Sequence, residues 1–293
     1  MAKTKTRSRF WRCLSRGFGY PLKEWRVKKN KKRKPVSRTH WHNWVAHLFF
    51  SKTTVKWVNP GYASPEPAPC MEVPIIYKGI IFDLDGTLVN SLEDIADSMN
   101  SVLQENNLPT HPLESYKLFV GKGIRNLVRQ AIPEENREEE LVNNCYRSMV
   151  DLYRRNSTKK TRLYDGIAEM LDELSSRGLK LAILSNKADE LTQQIVSDLL
   201  SAWHFEVVTG LHTEAHKKPN PIIALQISEK FGVLPEEIIY VGDTSTDMLT
   251  ATNAGMYAVG VLWGFRTKEE LIRSGAKYLL SYPSEIVSIL VPA

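Results

Sequence analysis

The sequence predicts an α/β protein built on a doubly wound, mainly parallel sheet, with a block of helices inserted after the first strand. Three observations carry this expectation. From about residue 165 onward, apolar runs of strand length alternate with amphipathic stretches of helical length, the order expected of βα units. Several of these runs stop abruptly at polar residues: Ile80-Ile81-Phe82 at Asp83, Leu181-Ala182-Ile183-Leu184 at Ser185, and Ile238-Ile239-Tyr240-Val241 at Gly242-Asp243. Between the first strand and Tyr164 lie about eighty residues with no convincing strand pattern, too many for a plain loop.

Strands are expected near 76–84, 179–184, 205–209, 238–242 and 257–261, with a last strand at 276–280. Helices should follow near 165–177, 188–201, 220–231, 246–254 and 268–274, with a terminal helix from Ser284. Gly178 and Gly255 stand directly after two of these stretches, as helix C-caps do. Inside the inserted block, Leu127, Val128, Ala131 and Ile132 recur at helical spacing. The block as a whole reads as helices at 91–106, 113–119, 123–132 and 134–156.

The segment from Ile80 to Val89 carries the strongest chemical signal. Two carboxylates, Asp83 and Asp85, stand at i and i+2 at the end of a buried strand, followed by Gly86-Thr87. In open α/β sheets ligands bind at the carboxyl ends of the strands. Strand alternation alone would send these two side chains to opposite faces, so they converge only if the strand ends there and the chain turns. Gly86 permits such a turn. Two acids at such a site suggest a hard cation and phosphate chemistry.

Three further segments fit in order: Leu184-Ser185-Asn186, Lys218-Pro219-Asn220-Pro221, and Gly242-Asp243-Thr244-Ser245-Thr246-Asp247. Taken together they resemble the four motifs of the haloacid dehalogenase superfamily of phosphohydrolases. One DxD is weak evidence, but the ordered set is specific. The resemblance covers about residues 75–291. It implies a Rossmann-like core formed by 71–90 and 160–293, and an α-helical cap at 91–159 that closes over the site and selects substrate.

By that resemblance, Asp83 is the nucleophile that attacks phosphorus and becomes an aspartyl phosphate. Asp85 is the general acid and then the general base, a role that at neutral pH needs a raised pKa in the first step. Lys218 pairs with the phosphoryl oxygens and Asp83. Ser185 and Asn186 bind the phosphoryl group, and Gly86 and Thr87 lend it backbone donors. Mg²⁺ is held by Asp83, the Asp85 backbone carbonyl and Asp243, the oxygen-only ligation that suits this ion. Asp247 orients Lys218 or the metal waters; alone, it would read as a helix N-terminal charge. Likewise, a Ser-Asn pair after a strand is by itself usually a helix cap.

Two features point within the superfamily. Thr87 fits phosphatases, whereas related sugar-phosphate mutases usually carry Val or Ile there. Gly121-Lys122-Gly123-Ile124-Arg125 resembles the Gly-x-Gly segment of phosphoglycolate phosphatases. A Gly-rich turn opening a helix, with Lys122 and Arg125 beside it, could hold a small carboxylate. Leu262-Trp263-Gly264-Phe265-Arg266 resembles a wall-forming loop of the same group, and Lys187 is expected near the mouth of the site. The expected activity is therefore Mg²⁺-dependent hydrolysis of 2-phosphoglycolate to glycolate and phosphate. A pyrophosphatase or a nucleotide or sugar phosphatase on the same scaffold is the alternative.

Charge divides the chain. Of 39 Lys and Arg residues, seventeen fall in residues 1–70 with only two acids, Glu24 and Glu66, although the whole chain nets only +6. Five of the seven Trp lie there too. Bases interleaved with aromatics could bind nucleic acid, an alternative of a different class. The favoured expectation is a basic extension that is disordered or lies upstream of a native start at Met71. Cys13, Cys70 and Cys145 show neither CxxC pairing nor metal spacing, which fits a reducing, cytoplasmic setting. No apolar run approaches the ~18 residues of a membrane span. The expected partner is a small phosphate ester, with the chain acting as monomer or homodimer.

Overall fold

The computed structural model describes residues 76–290, so the expectations placed on residues 1–70 lie outside the described residues. Eight strands and ten α-helices are described. The strands are β1 Gly79–Phe82, β2 Val89–Asn90, β3 Arg162–Leu163, β4 Lys180–Ala188, β5 Val207–Leu211, β6 Ile238–Gly242, β7 Tyr257–Val261 and β8 Tyr278–Leu280. Six form one parallel sheet in the order β5-β4-β1-β6-β7-β8. Every residue of β1 and β6 is buried, because helices cover both faces of a parallel sheet.

This order fixes where a ligand can sit. From β1 the chain moves outward to β4 and β5, then returns to the other side of β1 with β6. Connections therefore leave β1 and β6 in opposite directions and open a crevice at their carboxyl ends. Phe82 lies level with Ile183 of β4 and Val241 of β6, so Asp83, Ser185 and Asp243 emerge close together at that edge.

The helices of the core are α5 Ile167–Ser176, α6 Asp189–Leu199, α7 Ile222–Phe231, α8 Ser245–Ala254, α9 Lys268–Arg273 and α10 Ile286–Leu290. Gly178 and Gly255 take left-handed φ values of 69° and 72° just past α5 and α8, as their positions led one to expect. Strand β4 runs to Ala188, four residues beyond the expected 184, with a register shift against β5 after Leu184. The sequence pattern ends at Leu184 because the next three side chains are polar. They stay extended because all three, Ser185, Asn186 and Lys187, are buried and find partners in the site.

Between β2 and β3 lie α1 Leu92–Glu105, α2 Leu113–Phe119, α3 Ile124–Ala131 and α4 Glu139–Asn156. Their inward faces make a separate apolar core around Met99, Leu103, Tyr116, Val128, Val142 and Cys145. The single helix expected over 134–156 is instead a 3-10 turn at Glu134–Asn136 followed by α4. Arg137 breaks the run, its guanidinium donating to the Ile132 carbonyl, and Glu138 is extended at the helix start. Glu139 and Glu140 then occupy the first turn, where the helix dipole favours acids.

The ribbon of β2 and β3 was not foreseen, since two-residue strands leave no periodicity to read. It joins the two chain crossings between core and insert. Asp94, only 3% exposed, fastens the same place by accepting from the backbone N–H groups of Lys160 and Thr161 and the Thr161 hydroxyl. Among the described residues no helix is long and apolar enough to cross a membrane.

Candidate active site

The crevice at the ends of β1 and β6 collects buried charge. Asp83, Asp85, Lys187, Lys218, Asp243 and Asp247 are each at most 9% exposed. Asp83 follows β1 directly, its N–H held by the Val241 carbonyl at 2.9 Å. Two residues on, the strand has ended and Leu84–Val89 forms a tight turn, so Asp85 points into the same cavity as Asp83.

Lys218 sits between two carboxylates. Its Nζ lies 2.9 Å from Asp83 Oδ1 and 2.7 Å from Asp247 Oδ1, and donates to the Leu184 carbonyl at 3.0 Å. Asp247 serves both roles that its position allowed. Its second oxygen accepts from the N–H and hydroxyl of Thr244, capping α8, while the first holds Lys218. Asp243 accepts from the Phe265 N–H at 2.9 Å and the Thr87 hydroxyl at 3.4 Å. Gly86, with φ of +85°, closes over it: a Cβ there would lie 2.3 Å from Asp243 Oδ2.

Asp83, Asp243 and Asp247 each offer an oxygen within 4.8 Å of the others, and all three are buried. Positive charge at this point is insufficient. Burial, reinforced by the charge of Asp247 and only partly offset by Lys218, pushes Asp83 up to about 7. Burial, then the charges of Asp247 and Asp83, raises Asp243 well above the usual carboxylate range. A cluster of buried oxygen donors short of positive charge fits a divalent cation. Asp85 could offer only its backbone carbonyl, because its carboxylate is taken: Lys187 Nζ lies 2.7 and 2.8 Å from its two oxygens, and Ser91 donates at 2.5 Å.

This imbalance has a measurable consequence. A folded-state pKa near 7 lies above the unfolded value of 3.8, so the stabilising protonation of Asp83 is complete below pH 4 and lost as pH rises through 7. Asp243, shifted in the same direction, adds to this loss. Metal-free protein should therefore lose on the order of 4 kcal/mol between pH 4 and pH 8 from Asp83, and more with Asp243. Mg²⁺ at pH 8 should raise the melting temperature by several degrees, roughly as this energy dictates. Thermal melts in EDTA and in Mg²⁺ at both pH values would check it. A melting temperature indifferent to the metal at pH 8 would remove the cation site.

Most of the expected residues meet here, though not all as expected. Ser185 lines the cavity with Asp83 and Asp85. Asn186 is a brace: its Oδ1 accepts from the Lys218 N–H at 2.9 Å and its amide donates to the Gly121 carbonyl at 3.0 Å, tying the insert to the core. The backbone donors of Gly86 and Thr87 are not available to phosphate. They are spent inside the tight turn, on the Val89 and Leu84 carbonyls. Of the insert segment, Gly121 lines the cavity, but its two cations do not. Arg125 is turned outward to Glu139 and Asn143, and Lys122 faces a neighbouring hollow beside Arg266 and Glu270.

Lys187 is buried inside the site rather than at its mouth. Sequence could have flagged it only through its place directly after Ser185-Asn186. Ser91 was read simply as a helix start; its hydroxyl goes to Asp85 instead of capping α1. Arg266 fulfils a wall role in a specific way, its guanidinium donating to the Lys117 and Val120 carbonyls at the end of α2. Trp263 beside it donates to the Thr87 carbonyl at 3.0 Å.

Comparison with known proteins places this constellation. Residues 80–261 match the family model for haloacid dehalogenase-like hydrolases. The chain is 33% identical over 215 residues to the phosphoglycolate phosphatase of Aquifex aeolicus, covering 72% of this chain and 95% of that protein. It is 32% identical to the enzyme of the same name from Chromobacterium violaceum, covering 73% and 96%. A crystal structure from Haemophilus somnus, titled as a predicted phosphoglycolate phosphatase, superposes with a TM-score of 0.68 at 30% identity, covering 73% of this chain and 98% of that one. On the motif order, the sheet topology and these matches, the chain belongs to the haloacid dehalogenase-like hydrolase family.

Proposed function

We propose that this protein is a Mg²⁺-dependent phosphomonoesterase that hydrolyses 2-phosphoglycolate to glycolate and phosphate. The observation that carries the reading is the buried Asp83–Lys218–Asp247 row beside Asp85 and Asp243 at the switch point of the sheet. The names of the curated relatives support the substrate.

Asp83, fixed at the end of β1, attacks phosphorus in line. The ester P–O bond breaks as the Asp83 oxygen–phosphorus bond forms. Asp85, once parted from Lys187 and protonated, gives that proton to the departing glycolate alkoxide. It then takes a proton from water, which attacks the aspartyl phosphate and releases phosphate. Lys218 offsets charge on Asp83 and the phosphoryl oxygens. The Ser185 hydroxyl, which accepts from the Lys187 N–H at 3.2 Å, keeps its own proton for a phosphoryl oxygen. Mg²⁺, held by Asp83, Asp243 and the Asp85 carbonyl with Asp247 nearby, would supply Lewis-acid neutralisation of the phosphoryl charge. The helices between β2 and β3 act as the cap, excluding water when they close. A cytoplasmic setting suits a small soluble ester as substrate.

The cavity beside Asp83 has a volume of only 40 Å³. One water requires about 10–15 Å³ by the same measure, so the space suits a leaving group of a few heavy atoms rather than a nucleoside. The test is kcat/KM with Mg²⁺ across 2-phosphoglycolate, pyrophosphate, sugar phosphates and nucleotides. A preference for 2-phosphoglycolate of at least about tenfold is expected. A flat profile, or one led by another ester, would overturn the substrate assignment.

A further inference from the structure

We infer that Lys187 recognises the anionic end of the substrate's leaving group, and so sets the preference for a carboxylate-bearing ester. This rests on the reading of the site as a 2-phosphoglycolate phosphatase.

The cavity has two kinds of wall. Asp83, Asp85, Ser185, Asn186 and Lys187 form the core side, and the insert contributes apolar side chains such as Leu127 and Met149. A carboxylate bound among apolar groups and two acids needs a cation in contact with it. Among the described residues lining this cavity, Lys187 is the only one with a cationic side chain. Lys218 does not line this cavity; its ammonium is held between Asp83 and Asp247 and donates to Asp247 and the Leu184 carbonyl. Lys122 and Arg125, the cations that the Gly-rich segment suggested, face other hollows.

Lys187 is also held ready. Its ammonium stands 4.8 Å from the ring centroid of Tyr153, which comes from α4 of the insert, and its pair with Asp85 takes up two donors. The side chain is 3% exposed, so its charge acts in low dielectric, where a single ion contact discriminates strongly. Its place next to Ser185-Asn186 on β4 puts the phosphoryl-binding hydroxyl and the leaving-group cation on one strand. A short leaving group is then gripped at both ends.

The experiment compares 2-phosphoglycolate with 2-hydroxyethyl phosphate, an ester of the same carbon count whose leaving group carries no charge. Wild type should prefer the carboxylate by about a hundredfold in kcat/KM, the size expected when a buried charge loses its partner. In Lys187→Gln this ratio should fall to within about tenfold. A role confined to placing Asp85 would lower both rates and leave their ratio intact, which would overturn the inference. So would loss of the ratio in Arg125→Ala or Lys122→Ala with its retention in Lys187→Gln. If wild type prefers an ester other than 2-phosphoglycolate, the functional reading fails and this inference with it. If wild type prefers 2-phosphoglycolate and Lys187→Gln keeps the ratio, only the inference fails. Because Lys187→Gln strands a buried Asp85, binding calorimetry on Asp85→Asn and on Asp85→Asn with Lys187→Gln gives a second measurement, in which the carboxylate preference in Kd should be lost only in the double variant.

Discussion

Asp83→Asn is expected to lower kcat by at least about a thousandfold while the protein becomes no less stable. An amide of the same shape cannot supply the nucleophilic oxygen, and removing a covalent nucleophile is among the most damaging changes a site can suffer. Stability should move the other way. Asp83 is a buried carboxylate pushed up to about 7 by burial and by Asp247, so ionising it at pH 8 costs free energy in metal-free protein. The neutral amide escapes that cost. Steady-state kinetics with Mg²⁺, paired with thermal melts in EDTA at pH 8, would show both. Turnover within tenfold of wild type would reject Asp83 as nucleophile, and a large drop in melting temperature would mean that the loss of activity was unfolding.

Lys218→Met should be damaging on both counts. Methionine matches the length and removes the charge. It leaves Asp83, Asp243 and Asp247 facing one another with no cation at 2.7–2.9 Å. Breaking a buried pair by removing one partner costs about 3–5 kcal/mol. For a folded region of this size that is a fall of roughly 10 °C in melting temperature. The loss should shrink as pH falls through the raised Asp83 and Asp243 values, because protonated acids no longer need the lysine. Activity should drop at least about a hundredfold, the scale of losing one preorganised charge at a reacting phosphoryl group. Melts at pH 5 and pH 8 would separate this from a simple packing defect. An equal loss at both pH values would reject charge neutralisation as the task of Lys218.

The core of this protein was legible because its signals are local. Apolar runs such as Ile80-Ile81-Phe82 and Ile238–Val241 end at polar residues, and that break marks both a strand end and a sheet edge. Gly178 and Gly255 mark helix ends by the φ they permit. The identities of Asp83, Asp85, Ser185, Lys218, Asp243 and Asp247 as site residues followed from four short motifs in order.

Direction and partnership were not legible, because they are decided by groups far apart in the chain. Whether Lys187 reached solvent or Asp85, 102 positions away, depended on how β4 was drawn past β1. Whether Arg125 faced the substrate or Glu139 depended on the packing of α3 against α4. The amides of Gly86 and Thr87 looked free in a Gly-Thr turn, yet the turn closed so tightly that it used them itself. By itself, then, the sequence determined the fold class and which acids and which lysine gather at the sheet edge, since strand ends and short motifs are written in neighbouring residues. Only the tertiary structure decided which cation meets which carboxylate, because a buried charge is satisfied by whatever the fold brings within 3 Å, and that distance has no counterpart along the chain.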